Sequence, residues 1–133
     1  MKGGEYNMAK YVDGFVLVVP KNKVAEYKKM AKEGAAMWMK YGALEYYECM
    51  GEDLIPQGMD GMKPLAFTKM AKAKPNETVW FSFIVYKSRK HRDEVNKKVM
   101  DKMNEKYKDK KDMSMPFDMK RMAYGGFEVA VEG

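Results

Sequence analysis

The chain has 133 residues, a length that suits one domain with a hydrophobic core of its own. It contains no run of about 18 apolar residues, which excludes an ordinary membrane-spanning helix, and its single cysteine, Cys49, excludes a disulfide within the chain. The net charge of +6 comes entirely from residues 69–92, where the basic residues stand on both sides of an apolar stretch, so the sequence argues against a continuous nucleic-acid groove.

Residues 1–8 are predicted to form a flexible leader, and residues 9–133 a single domain. The leader lacks the apolar core of a signal peptide. Together with the single cysteine, this predicts a protein of the reducing cytoplasm.

The first two elements are a strand and a helix. Residues 10–19 predict a strand that is apolar on both faces except for Asp13. Residues 23–41 carry apolar side chains at helical spacing and lysines on the opposite side, which predicts an amphipathic helix. Asn22 is the predicted N-cap of this helix, and Gly42 is well placed to end it.

The next region is less regular. Residues 43–50 predict a second strand, and residues 51–64 predict a loop because they are rich in Gly, Asp and Pro. Residues 65–73 fit two structures. A short strand that closes a ribbon with the strand after it is the first choice, and a helical turn is the second.

Residues 78–86 predict the central strand, because they contain no charge, no glycine and no proline. Alternate residues point to opposite faces: Val79, Phe81, Phe83 and Val85 to one, and Trp80, Ser82, Ile84 and Tyr86 to the other. A strand with one wet face should alternate apolar and polar residues, and this one does not. Both faces of the sheet therefore need cover.

The C-terminal part begins with a second long helix over residues 89–107, with Ser88 as its predicted N-cap. Residues 109–112 are a polar break, and residues 115–118 are a turn. Residues 119–131 predict the last strand, in which the pair Gly125-Gly126 marks a bulge or a close backbone approach.

The order strand, helix, strand, strand, helix, strand is that of a ferredoxin-like α+β domain, βαββαβ, with an antiparallel sheet. Right-handed crossovers place both helices on the same face of the sheet. The other face is then bare in a single subunit. We therefore expect a second copy to pack against it, giving a homodimer of the dimeric α+β barrel type.

Several segments of the chain resemble the YbaA-like family, a bacterial family of unknown function. They are Tyr11 to Phe15, Gly42 to Tyr46 with Glu48 and Cys49, Phe81 to Ser88, His91 to Asp93 with Val95 and Asn96, Met115 to Met122, and Tyr124 to Phe127. The resemblance covers residues 9–132. It implies the dimeric α+β barrel superfamily, which includes small monooxygenases, haem-binding enzymes and binding proteins, and it carries over no catalytic residue.

The sequence contains no phosphate-binding loop, nucleotide fingerprint, zinc spacing or nucleophile elbow. One His and one Cys do not make an ordinary metal site, so we expect no metal and no cofactor. A haem needs only one axial histidine, and His91 is the one candidate. The alternative is a histidine packed at the start of its helix, where the helix dipole favours the neutral ring.

Asp13 interrupts an apolar strand, so its carboxylate must be paired, hydrogen-bonded or protonated. Arg92 and Arg121 are the natural partners. The pair is either a structural lock or part of an acid–base site. Several aromatic residues either line a cavity or fill the core: Tyr11, Tyr47, Trp80, Tyr86 and Tyr124.

The leading hypothesis is a homodimer, paired through the open sheet face, that binds a small organic molecule between sheet and helices. The predicted ligand contacts are Asp13, Tyr47, Trp80, His91 and Arg92. One alternative is a cofactor-independent, monooxygenase-like enzyme that acts on an aromatic substrate in the same cavity. Another is a structural or stress-related dimer without a ligand.

Overall fold

A computed structural model describes residues 9–108 and 114–133. The strands in these residues are β1 (Tyr11–Pro20), β2 (Glu45–Met50), β3 (Glu77–Tyr86) and β4 (Ala123–Glu128). The helices are α1 (Val24–Lys40), the single turn α2 (Phe67–Met70) and α3 (Arg89–Tyr107), with short 3-10 turns at Lys21–Lys23 and Met119–Arg121. None of the described helices is both long enough and apolar enough to span a bilayer.

The four strands form one antiparallel sheet in the order β2-β3-β1-β4. The two strands that are apolar on both faces, β1 and β3, occupy the centre, where both of their edges are paired. This confirms the ferredoxin-like α+β fold. The predicted polar break at residues 109–112 and the predicted leader at residues 1–8 lie outside the described residues.

Both long helices pack on the same face of the sheet, through two clusters of buried side chains. The cluster under α1 contains Leu17, Val19, Tyr27, Ala31 and Trp80. The cluster under α3 contains Ala43, Ile84, Tyr86, Val95 and Val99. Trp80, Ile84 and Tyr86 are alternate residues of β3 and therefore share a face.

Within the described residues, the opposite face is covered at one end only. Leu54 and Ala71, from the segment between β2 and β3, pack on Val18 and Val79 there. The rest of this open face is mostly apolar and partly exposed. Phe81 has 48% of its surface in solvent and Phe127 has 62%.

The helix ends follow local chemistry, with one exception. Ser88 caps α3 as predicted, since its side chain accepts a hydrogen bond from the His91 amide at 3.1 Å. Gly42 follows the end of α1 with a φ of +115°, which favours glycine. The prediction for Asn22 was wrong: it lies in the 3-10 turn, and α1 begins after Lys23 without a side-chain cap.

The first choice for residues 65–73, a strand closing a ribbon, was also wrong. These residues contain α2, and the helical turn was the correct alternative. Both edges of β3 are taken by β1 and β2, so a further strand has no edge of β3 to pair with. A helical turn bonds its own backbone and still buries Ala71.

The last strand is shorter than predicted. Residues 119–121 form a 3-10 turn because the Asp118 carboxylate accepts a hydrogen bond from the Lys120 amide at 2.9 Å. The register between β1 and β4 is unbroken through Gly125 and Gly126, so there is no bulge. The close approach is confirmed at Gly126, where a Cβ atom would lie 2.5 Å from the Tyr11 hydroxyl.

Arg121 fastens the C-terminal segment to the start of β3. Its guanidinium donates two hydrogen bonds to the Glu77 carboxylate, at 2.8 and 2.7 Å, and one to Asp118 at 2.7 Å. It is therefore not the partner of Asp13. Hydrogen bonds from Arg121 and from the Lys74 amide lower the pKa of Glu77 to about 2.

We expect Glu77→Gln to reduce the free energy of unfolding near neutral pH, and the loss to disappear in acid. The folded-state pKa of Glu77 is about 2, below the value of about 4.3 for a free glutamate. Its contribution is therefore complete above the unfolded pKa and is lost as the pH falls through the folded one.

Urea unfolding of both proteins across this pH range measures the effect. Glu52→Gln, at an exposed loop glutamate, is the control and should change little. A loss in Glu77→Gln that is the same at neutral pH and at about pH 2 would contradict the assignment.

Candidate functional site

A cavity of about 250 Å³ lies between the helical layer and the sheet. α1, α3, the helix-facing side of the sheet and the C-terminal segment contribute its walls. Most of the lining side chains are aromatic rings or methionines: Phe15, Tyr27, Met30, Met37, Trp38, Tyr46, Met103, Tyr107, Met115, Phe117 and Met122. Glu33 and Lys106, both exposed, stand at its rim.

α1 lies close to the sheet at the cavity because two of its facing residues, Ala31 and Gly34, are small. A Cβ atom on Gly34 would lie 3.1 Å from the Tyr46 hydroxyl, which is closer than ordinary van der Waals contact. Ala31, one turn earlier, is buried against the same wall. This approach brings the Tyr27 hydroxyl of α1 within reach of the polar groups on the sheet.

The polar centre of the cavity is the carboxylate of Glu48, on the helix-facing side of β2. The hydroxyls of Tyr27 and Tyr46 each donate a hydrogen bond to it, at 2.7 Å. Ser82, directly opposite Glu48 in the sheet, donates a third and very short one. A half-buried carboxylate is thus held by three neutral donors in an apolar surrounding.

The donors in this network keep their protons. Burial, together with the neighbouring Glu48 charge, raises the pKa of both Tyr27 and Tyr46. Among the residues that the structure describes, Tyr27 and Ser82 donate to Oε1, and only Tyr46 donates to Oε2. A carboxylate oxygen accepts about two hydrogen bonds. Oε2 therefore has an acceptor position left for a ligand.

Asp13 and Arg92 form a second polar cluster, outside the lining of this cavity. Asp13 is 1% exposed, and its Oδ1 lies 3.4 Å from Arg92 Nε. Arg92 also donates to the Tyr11 hydroxyl at 3.2 Å, with its guanidinium over the Tyr11 ring. Burial raises the pKa of Asp13, against the opposing effect of the Arg92 charge.

Asn96 connects the two clusters. Its amide nitrogen donates to Asp13 at 3.4 Å, and its carbonyl oxygen accepts hydrogen bonds from Tyr86 at 3.1 Å and from the Trp38 indole at 3.0 Å. Trp38 lines the cavity. The Asp13 cluster therefore supports one wall of the cavity from behind.

His91 is a packed residue at the start of α3. Its Nδ1 accepts a hydrogen bond from the Lys87 amide at 2.9 Å, which places the ring proton on Nε2, beside Gly42. The ring meets Tyr86 edge to face. Burial and the positive charge of Lys87 lower the pKa of His91.

The remaining predicted contacts lie apart from the Asp13 cluster. Tyr47 borders the cavity, but its exposed ring packs against Phe83 on the open face. Trp80 is buried in the core beside Tyr27, and its indole donates to Thr78. The structure does not bring the five predicted residues together around one space, and their role with a ligand stays a prediction.

A site formed by Glu48, Ser82, Tyr27 and Tyr46 was not predicted from the sequence. A signal did exist, since Ser82 is the one polar residue within residues 79–85. Its partner across the sheet, once the register is known, is Glu48.

Comparisons with known proteins support the fold and the family. Residues 10–119 match the family described as "Protein of unknown function (DUF1428)". The uncharacterized protein YbaA of Escherichia coli (strain K12) is 43% identical over 123 residues, which is 92% of this chain and 98% of that relative. The protein of the same name in Shigella flexneri gives the same figures.

A crystal structure of a dimeric ferredoxin-like protein from an uncultured marine organism is also similar. It has a TM-score of 0.53 and 9% identity, and the match covers 94% of this chain and 99% of that one. At this identity the likeness concerns the fold alone.

Proposed function

We propose that this chain, which belongs to the DUF1428 family of proteins of unknown function, binds a small organic molecule in the cavity between its sheet and its helices. The observation that carries the proposal is the apolar cavity with one hydrogen-bonded carboxylate on its wall. Binding sites for small molecules combine a mostly apolar lining with a few placed polar groups in this way.

The size of the cavity limits the ligand. An apolar cavity of about 150 Å³ already takes up benzene, and sites for drug-sized molecules begin near about 300 Å³. The cavity of about 250 Å³ lies between these values. It therefore suits a single aromatic ring with a short substituent.

We propose further that the protein acts as a homodimer paired through the open sheet face. Phe81, Phe127 and their apolar neighbours on that face are exposed in one subunit, and such a surface favours a partner of the same kind. The solved ferredoxin-like protein of similar fold is described as dimeric. A cytoplasmic location stays a prediction.

We expect Met103→Trp to block the cavity, because the larger ring would fill space that the methionine now borders from α3. Calorimetric titration with phenethyl alcohol, a neutral molecule with one ring, should show binding to the wild type. The affinity of Met103→Trp should be lower by about tenfold or more, because the ring must be displaced before the ligand enters.

Met100→Trp is the matched control, since it makes the same change on the same helix at an exposed side chain outside the cavity lining. Its affinity should equal that of the wild type. Equal binding by Met103→Trp would place the ligand elsewhere and reject this cavity as the site.

The two alternative functions, a monooxygenase-like enzyme and a structural or stress-related dimer without a ligand, stay predictions. A monooxygenase-like enzyme would consume oxygen in the presence of a phenolic substrate, whereas a binding protein would not. A structural dimer without a ligand would bind neither phenethyl alcohol nor any other molecule with one ring.

A further inference from the structure

The negative charge in the cavity belongs to the carboxylate of Glu48. Within residues 9–108 and 114–133, no lysine, arginine or histidine forms an ion pair with this carboxylate. Its three hydrogen-bond donors are neutral hydroxyls. The negative charge is therefore stabilised by hydrogen bonds but not neutralised.

The other charged groups around the site lie at its borders. Glu33 and Lys106 at the rim have opposite charges and are exposed to water. Lys28 and Lys32 border a neighbouring groove on the far side of Glu48, and both are exposed. Water screens such groups, so the charge that a ligand inside the cavity meets is that of Glu48.

The open acceptor position on Glu48 favours a ligand that donates a hydrogen bond. Oε2 of Glu48 accepts one hydrogen bond, from Tyr46, and has room for a second. A protonated amine at this oxygen would supply both a hydrogen-bond donor and the missing positive charge. A carboxylate ligand would be repelled, and an alcohol would supply the donor without the charge.

The walls of the cavity also suit a cation on an apolar body. Tyr27, Tyr46 and Trp38 line the same cavity as the Glu48 carboxylate, and aromatic rings attract ammonium groups. The methionines farther along the wall offer an adaptable apolar surface for the rest of the molecule. The charge of Glu48, its open acceptor position and the aromatic and apolar walls therefore all favour a cationic ligand with an apolar body.

We propose that the ligand of this cavity is a small aromatic amine in its protonated form, held by an ammonium hydrogen bond to Oε2 of Glu48 with its ring against the apolar wall. This deepens the proposed function and depends on the cavity being a binding site.

Three probes of the same size test the inference by calorimetry near neutral pH: phenethylamine, phenethyl alcohol and hydrocinnamate. They place a cation, a neutral donor and an anion on the same ring and a similar chain. The wild type should bind the amine about tenfold or more tighter than the alcohol, because hydrogen bonds between charged groups are the stronger ones. It should bind the anion most weakly.

Glu48→Gln should lose this preference, so that amine and alcohol bind within about threefold of each other. Binding of the alcohol also shows that the variant cavity is folded. Glu45→Gln is the matched control, because it makes the same change on the same strand at an exposed carboxylate that does not line the cavity. Its preference for the amine should persist.

The outcomes distinguish the assignment of an amine ligand from the proposed function of the cavity as a binding site. If the wild type binds the alcohol as tightly as the amine, or if Glu48→Gln retains the preference, the amine assignment is wrong and the cavity remains a binding site. If none of the three probes binds the wild type, the proposed function fails together with the inference.

Discussion

Replacing Asp13 by alanine should lower the free energy of unfolding by about 3–5 kcal/mol, the range found when one partner of a buried ion pair is removed. Asp13 is 1% exposed, and its partner Arg92 has 17% of its side chain in solvent. The substitution leaves the guanidinium without its buried countercharge and removes an acceptor from Asn96. Chemical denaturation of the purified variant measures the loss.

Asp93→Ala is the control for this prediction, because Asp93 also contacts Arg92, at 3.3 Å, but has 54% of its side chain exposed. Exposed ion pairs contribute about 0–1 kcal/mol, so this variant should stay close to the wild type. Asp13→Asn should fall between the two alanine variants, since burial raises the pKa of Asp13 and a neutral amide avoids that penalty. A loss below about 1 kcal/mol for Asp13→Ala would show that the ion pair between Asp13 and Arg92 contributes little to the free energy of unfolding.

Replacing Phe81 by glutamate should convert the proposed dimer into a monomer. Phe81 points away from the helices, and 48% of its surface is exposed in one subunit. In a two-fold dimer through the open face, the substitution buries two carboxylates, one from each subunit. Each buried carboxylate without a partner costs several kcal/mol. The dissociation constant should rise by about a thousandfold or more, which sedimentation velocity over a dilution series measures.

Met39→Glu is the matched control. Met39 is 46% exposed, almost the same fraction as Phe81, but it lies on α1, away from the open face. This variant should sediment as the wild type does. A wild type that is monomeric at all concentrations, or a Phe81→Glu variant that stays dimeric, would refute pairing through this face.

Much of the fold follows from local patterns in the sequence. The absence of charge, glycine and proline in residues 78–86 predicts β3, which the structure gives as Glu77–Tyr86. The polar residue Ser88 before an amphipathic stretch predicts the start of α3, and a glycine after a similar stretch predicts the end of α1. These signals succeed because strand alternation, helix periodicity and capping depend on residues close together in the chain.

Two predictions failed because they depended on contacts between residues that are distant in the chain. Residues 65–73 contain the helical turn α2 and not a strand, because β1 and β2 take both edges of β3, and this pairing is a property of the whole sheet. Arg121 was one of two candidate partners for Asp13, and only the packing of the C-terminal segment takes it to Glu77. In both cases the sequence offered local options, and distant contacts selected one.

The sequence by itself determined the strands at the centre of the sheet, the long helices, the α+β class and the apolar character of both sheet faces. Only the tertiary structure decided where a ligand has room. Glu48 meets Ser82 through strand pairing, and it meets Tyr27 because α1 crosses the sheet above β2. These groups come from different elements, so their distances are set by how helices and strands pack, and no local pattern in the sequence specifies that packing.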